Sequence, residues 1–509
     1  MAGFDILLRQ PANAGLPPGF GDHETRPGTP AWLPCASMHG DGALWIRDDR
    51  FSLLLAAMVW ALVVLITTPE GFDYSALSTD DMPTSGSAIS RLQWLGLLGL
   101  GAVFLLWRGS LAWLLLRWVN PFLVAFAVLA AASVLWSIEP GITLRRMIRV
   151  TTILLCLGAM ILVAWHPRRF QQVLRPIVTA LLAGSLLFGL VFPHLAIHSE
   201  DAAELAGAWR GLTNHKNSLG TLACLGLIFW LHAGLAREAR LLTVLGGAAI
   251  ATACLMLSRS STALVTGAFT CIFLLMLLRS PKGLRRWMPW LTALFVTALL
   301  AYSLAVLRLV PGLEVLLTPV TAITGKDLTF TGRTEIWAIV IEQIRMHPWL
   351  GSGYGAYWIG PVHGSPAYEM VRLLYFYPGS GHNGYVDIAN DLGGVGLVVL
   401  LGYLVVHVAQ CLQLLKIDRT QAALYLAIFF QQAVNNLSES HWLNVTTLSM
   451  VIMTGASLAL SRALLEHRLR GVFGLPQSGD AHAQAATQSP LVAPAAHPAC
   501  APQAAGAAS

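Results

Sequence analysis

Apolar stretches alternate with short polar connections along most of this chain of 509 residues. A membrane-spanning helix needs about 20 mostly apolar residues, and by that measure the pattern predicts about twelve spans. They are Phe51–Thr68, Leu92–Trp107, Leu111–Trp136, Val150–Trp165, Ile177–Phe192, Leu219–Leu235, Leu241–Leu257, Ala263–Leu278, Trp287–Leu307, Val386–Val408, Ala422–Leu437 and Leu443–Leu460. The third is expected to break near Asn120-Pro121, because proline removes a donor and disfavours the helical conformation before it. One long polar loop, Pro311–Tyr385, interrupts the alternation late in the chain. Within it Thr331–Trp337 opens a short helix that runs to about Met346, with Ile336, Trp337, Val340, Ile341 and Ile344 at helical spacing. His347-Pro348 ends that helix. It is too short to span and is expected to lie on the outer membrane surface, apolar face down.

Composition agrees with the pattern. Only 11% of the residues are charged and 55% are hydrophobic, where a soluble domain carries about 25% charged residues. There are too few charges to coat a soluble surface, so the fold class is an all-α polytopic integral membrane protein. The net charge of +6 gives no ground for nucleic-acid binding, because basic residues of membrane proteins gather in cytoplasmic loops. Four of the seven cysteines (Cys156, Cys224, Cys254 and Cys271) fall inside apolar spans, which suggests packed thiols rather than a disulfide or metal framework.

Residues 1–50 read as a cytoplasmic extension without a cleaved leader, and 51–465 as the transmembrane domain. The tail, 472–509, is mainly Ala, Pro, Gln and His from Gln477 onward and is expected to be a disordered cytoplasmic segment. With both termini inside, arginines such as Arg108, Arg117, Arg168, Arg169, Arg175, Arg237, Arg240 and Arg279 fall at inside ends, while Glu70, Asp73, Asp80 and Asp81 fall outside. The long loop is then outside.

Topology gives no reason for the outside cations Arg145, Arg146, Arg149, Arg210, Lys216, Arg259, Arg333 and Arg345. Snorkelling or pairing with carboxylates explains any single one; for the set, an anionic ligand is the better explanation. Trp209–Gly220 puts Arg210, Asn214, Lys216 and Asn217 just before a span, where unpaired helix N–H groups bind phosphate well. The plainer alternative there is a cap at Asn217 or Ser218. Arg259 lies in the turn Ser258–Thr262. Arg333 opens the short helix, where the dipole disfavours a cation unless a bound anion or Glu335 offsets it. Trp349–Trp358 mixes glycines with aromatics that can stack on sugars or form an interfacial belt. His382-Asn383, with Asp387, Asn390 and Asp391 close behind, stands at the mouth of a span, where polar groups face a watery cavity. Histidine is a general base near neutral pH, although a lone histidine is more often structural.

Together, Arg210-Gly211 before a span, Gly332-Arg333-Thr334-Glu335-x-Trp337 in a long outer loop, and His382-Asn383 followed by Gly393 and Gly396 resemble the O-antigen ligase and Wzy polymerase superfamily. The run His347-Pro348-Trp349-Leu350-Gly351-x-Gly353 is most similar to its exopolysaccharide polymerase branch. The resemblance covers roughly Leu92 to Leu460. It implies a GT-C-like glycosyltransferase of the bacterial inner membrane with its site at the periplasmic face. The implied donor is a saccharide on undecaprenyl diphosphate, and neither nucleotide sugar, metal nor other cofactor is needed. The family's essential histidine falls on His382 and its two outer arginines on Arg210 and Arg333. Arg259 and Lys216 are added here as further diphosphate ligands, with Asn383, Asp387, Asn214 and Glu335 in support. The implied partners are the lipid-linked oligosaccharide, membrane lipid, a chain-length regulator and export proteins. The leading function is polymerisation of polysaccharide repeat units. The alternatives are a ligase that transfers the glycan to lipid A–core or protein and, from another class, a saccharide transporter.

Overall fold

The computed structural model describes residues 37–39, 43–45, 51–75, 87–163, 168–198, 205–281, isolated positions between 283 and 297, 333–360, 365–375 and 377–472. A short antiparallel pairing joins β1 (Ser37–His39) to β2 (Ala43–Trp45). Apart from this pair and an isolated bridge between Ile197 and Trp209, the described secondary structure is helical. The helices are α1 (Ser52–Thr67), α2 (Ala88–Trp107), α3 (Gly109–Leu116), α4 (Pro121–Ala132), α5 (Pro140–Val163), α6 (Arg169–Val191), α7 (Pro193–Ala196) and α8 (Lys216–Leu235). They continue with α9 (Leu241–Leu257), α10 (Ser261–Arg279), α11 (Arg333–Met346), α12 (Pro366–Leu374), α13 (Gly384–Leu414), α14 (Arg419–Asn435) and α15 (Leu448–Val472).

Six of these, α2, α6, α8, α10, α13 and α15, are long and apolar enough to cross a bilayer, and α1, α4 and α9 are shorter apolar helices. The chain is a multi-pass, all-α membrane protein. Twelve spans are not reached by this measure among the described residues, and the expected span Trp287–Leu307 lies largely outside them. The helix α15 is the central one, with 89% of its most apolar window buried, whereas α2 is peripheral, with 22%. The outward apolar side chains of α2, α9 and α10, among them Leu92, Leu106, Leu242 and Phe269, are exposed, as side chains that meet lipid must be.

Several boundaries depart from the hydrophobic pattern for local reasons. The helix α5 begins at Pro140, ten residues before the expected Val150, so Arg145, Arg146 and Arg149 ride on its first turns. The break near Asn120-Pro121 is present: Asn120 caps α4 by accepting from Phe122 N at 3.1 Å, with Pro121 at the first helical position. The Asn120 amide also donates to Tyr403 O at 2.9 Å, tying α4 to α13. The last span starts later than Leu443, because Asn444 and Thr447 close turns that hold residues up to 447 in a loop. The short helix α11 ends at Met346, before Pro348, as the pattern requires. Its apolar face is turned differently from expectation. Ile336 and Val340 pack against Tyr357, Met370 and Val386 rather than into lipid, because α12 and the start of α13 offer protein surface there.

Polar connections meet at one end of the bundle. Arg149 reaches Glu70 at 3.2 Å, Tyr74 donates to Leu212 O at 2.6 Å, Trp136 to Leu350 O at 2.9 Å, and Asn217 to Glu439 at 2.6 Å. The opposite end holds Glu238 with Arg168 and Arg175.

Candidate functional site

His382 lies between two fixed points. Before it, the Gly381 carbonyl accepts from Trp337 Nε1 of α11 at 2.7 Å, and Gly381 N donates to Asp387 at 3.0 Å. After it, Asn383 caps α13 by accepting from Tyr385 N and Val386 N. The peptide between them is forced into the left-handed region, at φ +48° for His382, which costs a residue with a Cβ about 1–2 kcal/mol. Such strain persists only where the surroundings over-determine it. They do so here: Asn383 N donates to Ser440 Oγ, and Gly384 N donates to the carbonyls of Asn436 and Glu439. A Cβ on Gly384 would stand 2.1 Å from Asn436 Oδ1, so this close approach requires glycine.

The connection from Asn436 to Thr447, between α14 and α15, presses against this shelf. Asn436 Oδ1 accepts from His441 N and Trp442 N, and Asn435 donates to Thr221 and meets His441 Nδ1. These two asparagines scaffold the connection. Glu439 turns its carboxylate towards three elements. It accepts from Asn217 Nδ2 at 2.6 Å, pairs with Arg333 Nη2 at 3.4 Å, and faces His382 Nδ1 at 3.6 Å. Glu439 is 8% exposed. Burial alone pushes its carboxyl up. The facing imidazole of His382, with Arg333 and His441, outweighs burial and holds it at about 2. It is therefore a fixed anion, and it offsets the unfavourable placement of Arg333 at the start of α11.

The connection leading to α8 differs from expectation. Its N-cap is His215, whose Nδ1 accepts from Asn217 N at 3.2 Å, while His198 Nε2 accepts from Lys216 N at 3.2 Å. Two amides proposed as a phosphate cradle are thus already met by imidazoles. Burial pushes His215 down to about 4; Glu439 pulls the other way, and the nearby His198, His382 and Lys216 reinforce the drop. A neutral ring can accept at Nδ1, as this cap requires. Because His215 does the capping, the Asn217 side chain is available to bridge Ser260 Oγ, at 2.9 Å, to Glu439.

The structure thus gathers His382, Asn383 and Arg333 with Glu439, Asn217 and Ser260. Arg210 is 2% exposed and lies just before α8, its Nε donating to Leu195 O at 2.7 Å. Lys216 is half-buried in the first turn of α8, and Asn214 is exposed in the turn before it. Glu335 is exposed on α11. Arg259 is exposed, and its Nη1 donates to Ala206 O at 3.1 Å, bracing the turn before Ala208. Two other cations assigned to a ligand have carboxylate partners: Arg149 with Glu70, and Arg345 with Glu342 at 3.2 Å. For these, ion pairing is the sufficient explanation.

Asp387 is tied down rather than directed at His382. It accepts from Trp358 Nε1 at 3.1 Å and from Gly381 N. The glycines of Trp349–Trp358 serve backbone approach. α13 is interrupted at Gly393, with φ +65° and ψ −162°, and the carbonyls exposed by the break accept from Ser352 N and Gly353 N at 2.9 Å. Of the aromatics in that run, Tyr354 and Tyr357 are buried, and burial raises both phenols. Beside His382 lies a cleft of ≈ 70 Å³ that Trp358, Asp387 and Asp391 help to line.

The sequence does not single out Glu439 as a site residue, and Asn217 reads there as part of a phosphate cradle or a cap rather than as a donor to a carboxylate. Glu439 is one of several polar residues, with Asn435, Asn436 and His441, at a helix end. The available signal was an acid, flanked by serines and a histidine, between two apolar spans.

Residues 246–401 match the family model for O-antigen ligase. That stretch includes Arg259, Arg333, His382, Asp387 and Gly393, and excludes Arg210, Asn217 and Glu439. The chain is also 29% identical over 311 residues to the exopolysaccharide production protein ExoQ of Rhizobium meliloti, which covers 59% of this chain and 68% of that protein. The superfamily resemblance drawn from the motifs, and the likeness to its exopolysaccharide branch, are borne out.

Proposed function

We propose that this chain, which matches the family model for O-antigen ligase over residues 246–401 and is similar to the exopolysaccharide production protein ExoQ, is a glycosyltransferase of polysaccharide biosynthesis. It polymerises repeat units carried on undecaprenyl diphosphate at the periplasmic face of the inner membrane, with both termini in the cytoplasm. The observation that carries this reading is the His382–Glu439–Arg333 arrangement, in which a histidine is backed by a buried carboxylate that an arginine also holds.

The chemistry follows from the geometry. Nδ1 of His382 faces Glu439, which leaves Nε2 to accept the proton of an acceptor sugar hydroxyl. The oxygen attacks the anomeric carbon of the donor, and the bond from that carbon to the diphosphate oxygen breaks. Glu439 stabilises the imidazolium that forms, as the carboxylate does in a Ser-His-Asp triad. The departing diphosphate gains charge, which arginine meets with fixed paired donors. Arg333 is assigned that role, with Arg210 as the second cation and Lys216 and Arg259 further out. Diphosphate leaves readily, so the scheme calls for no metal and no strong general acid. A single displacement inverts the anomeric configuration; a product with retained configuration would exclude it.

The match to an O-antigen ligase model favours one alternative, in which the same donor chemistry delivers the glycan to lipid A–core or protein. Cells tell the two apart. With His382→Ala, a polymerase leaves single repeat units on the lipid, whereas a ligase leaves finished chains there. Wild-type polysaccharide from the variant strain would overturn both. A chain-length regulator and export proteins are the partners expected of the polymerase.

A further inference from the structure

We propose that the cleft beside His382 is the subsite that holds the acceptor sugar, with Asp391 as its hydroxyl acceptor. This rests on the transferase reading above and extends it to the substrate that supplies the nucleophile.

The cleft has a volume of ≈ 70 Å³, and Arg146, Trp358, Asp387, Asp391, Asn444 and Thr446 are among its walls. It adjoins the reactive shelf, because Ser380 and Gly384 on either side of His382 and Ser440 next to Glu439 also line it. Four separated segments build it: α5, the Tyr354–Trp358 run, the first turns of α13 and the connection before α15. The glycines that allow the Tyr354–Trp358 run to approach α13 therefore also shape the cleft.

Most of its polar groups are satisfied, but one buried donor, Trp442 Nε1, and one buried acceptor, on Asp391, are not. Asp387 is held by Trp358 and Gly381. Asn444 Oδ1 accepts from Thr446 N and Oγ1. Asp391 is 8% exposed and its Oδ2 accepts from Gly355 N at 2.8 Å, while its Oδ1 is buried without a hydrogen-bond donor. A buried acceptor beside a cavity calls for a donor from whatever enters. Two acids against one arginine make this cleft a poorer seat for a diphosphate than the side of His382 where Arg333 stands, so the leaving group is assigned there. A sugar edge fits: hydroxyls donate to Asp391, and the half-buried Trp358 indole offers an apolar face to the ring. Arg146 Nη2, 3.4 Å from Trp358 O, fixes the indole's backbone from the α5 side. A sugar seated against Asp391 would bring its next hydroxyl towards His382.

The test uses the full chain in detergent and, as probe, a lipid-free oligosaccharide cut from the strain's own polysaccharide. Binding is followed by intrinsic tryptophan fluorescence, and transfer by initial rates with the oligosaccharide as acceptor. Asp391→Asn is expected to weaken binding about tenfold and to raise the acceptor KM by the same factor, while the KM for the lipid-linked donor stays within twofold. The proposal is overturned if Asp391→Asn binds the oligosaccharide as tightly as wild type, or if the donor KM moves instead. Thr446→Val, at an exposed rim position, is expected to give a smaller rise in acceptor KM and serves if Asp391→Asn does not fold; an unchanged KM in that case overturns the proposal. Binding needs no turnover, so the two readings fail separately. Oligosaccharide bound through Asp391 without any transfer would leave the subsite standing and remove the transferase.

Discussion

Replacing Glu439 by Gln removes one negative charge and little else in shape. In the folded protein that charge sits 3.4 Å from Arg333 and 3.6 Å from His382. At an effective dielectric of about 20, the pairing with Arg333 is worth about 5 kcal/mol before desolvation is subtracted, and the pairing with His382 reaches a similar size only once its ring is protonated. The net effect is read from the carboxyl itself, held at about 2 instead of 4.5, which corresponds to about 3 kcal/mol in favour of the charged form. Gln approximates the protonated acid, so Glu439→Gln should cost stability of that order near neutral pH. The sign fixes the pH window. A depressed carboxyl stabilises the fold above about pH 4.5, and that contribution is lost as pH falls towards 2. The gap in melting temperature between wild type and variant should therefore narrow below pH 4.5. For catalysis, the imidazolium formed on His382 loses its counter-charge, and about 4 kcal/mol of lost transition-state stabilisation is about 10³-fold in rate. The assay is the initial rate of saccharide transfer from a radiolabelled lipid-linked donor, with thermal unfolding in detergent beside it. Asn217→Ala, which removes a neutral donor to the same carboxylate, should lose much less. A Glu439→Gln enzyme with kcat within threefold of wild type would refute the assignment of Glu439 as the group that positions and charges His382.

Two other outcomes follow from the geometry. Arg333→Lys keeps the charge but loses the paired donors of the guanidinium, and transfer should fall about 10–100-fold while the melting temperature changes little; equal activity would place the leaving group elsewhere. Gly393→Ala puts a Cβ 2.3 Å from the Trp349 carbonyl group at a backbone conformation available almost only to glycine, so it should destabilise by about 2–4 kcal/mol, read as a lowered unfolding temperature.

Apolar runs located most of the described helices, because lipid-facing and buried surfaces are both written in apolar residues. Proline marked the break at Pro121 and the end of α11 before Pro348. The pattern failed where charge belongs inside a helix: Arg145, Arg146 and Arg149 resemble a loop, yet Pro140 starts α5 ahead of them. It also failed at Gly393, since a glycine in an apolar run carries no sign of whether the helix continues through it. At the site, His382, Arg333 and Asn383 stood out because their types are costly where they lie. The sequence marks Glu439 as an acid between two apolar spans, but its partners Asn217, Arg333 and His382 come from three distant segments, and only the fold brings them to it. Asn217 stood out for another role: its type suits a cap or a phosphate ligand, and only the structure shows His215 capping in its place.

The most direct measurement reconstitutes the purified chain in nanodiscs with an undecaprenyl-diphosphate-linked oligosaccharide and resolves the lipid products by mass spectrometry, with His382→Ala in parallel. A ladder of longer lipid-linked chains from the wild type, absent from a folded variant, is the predicted result. A ladder of equal extent from His382→Ala would contradict it, as would a folded wild-type protein that extends nothing.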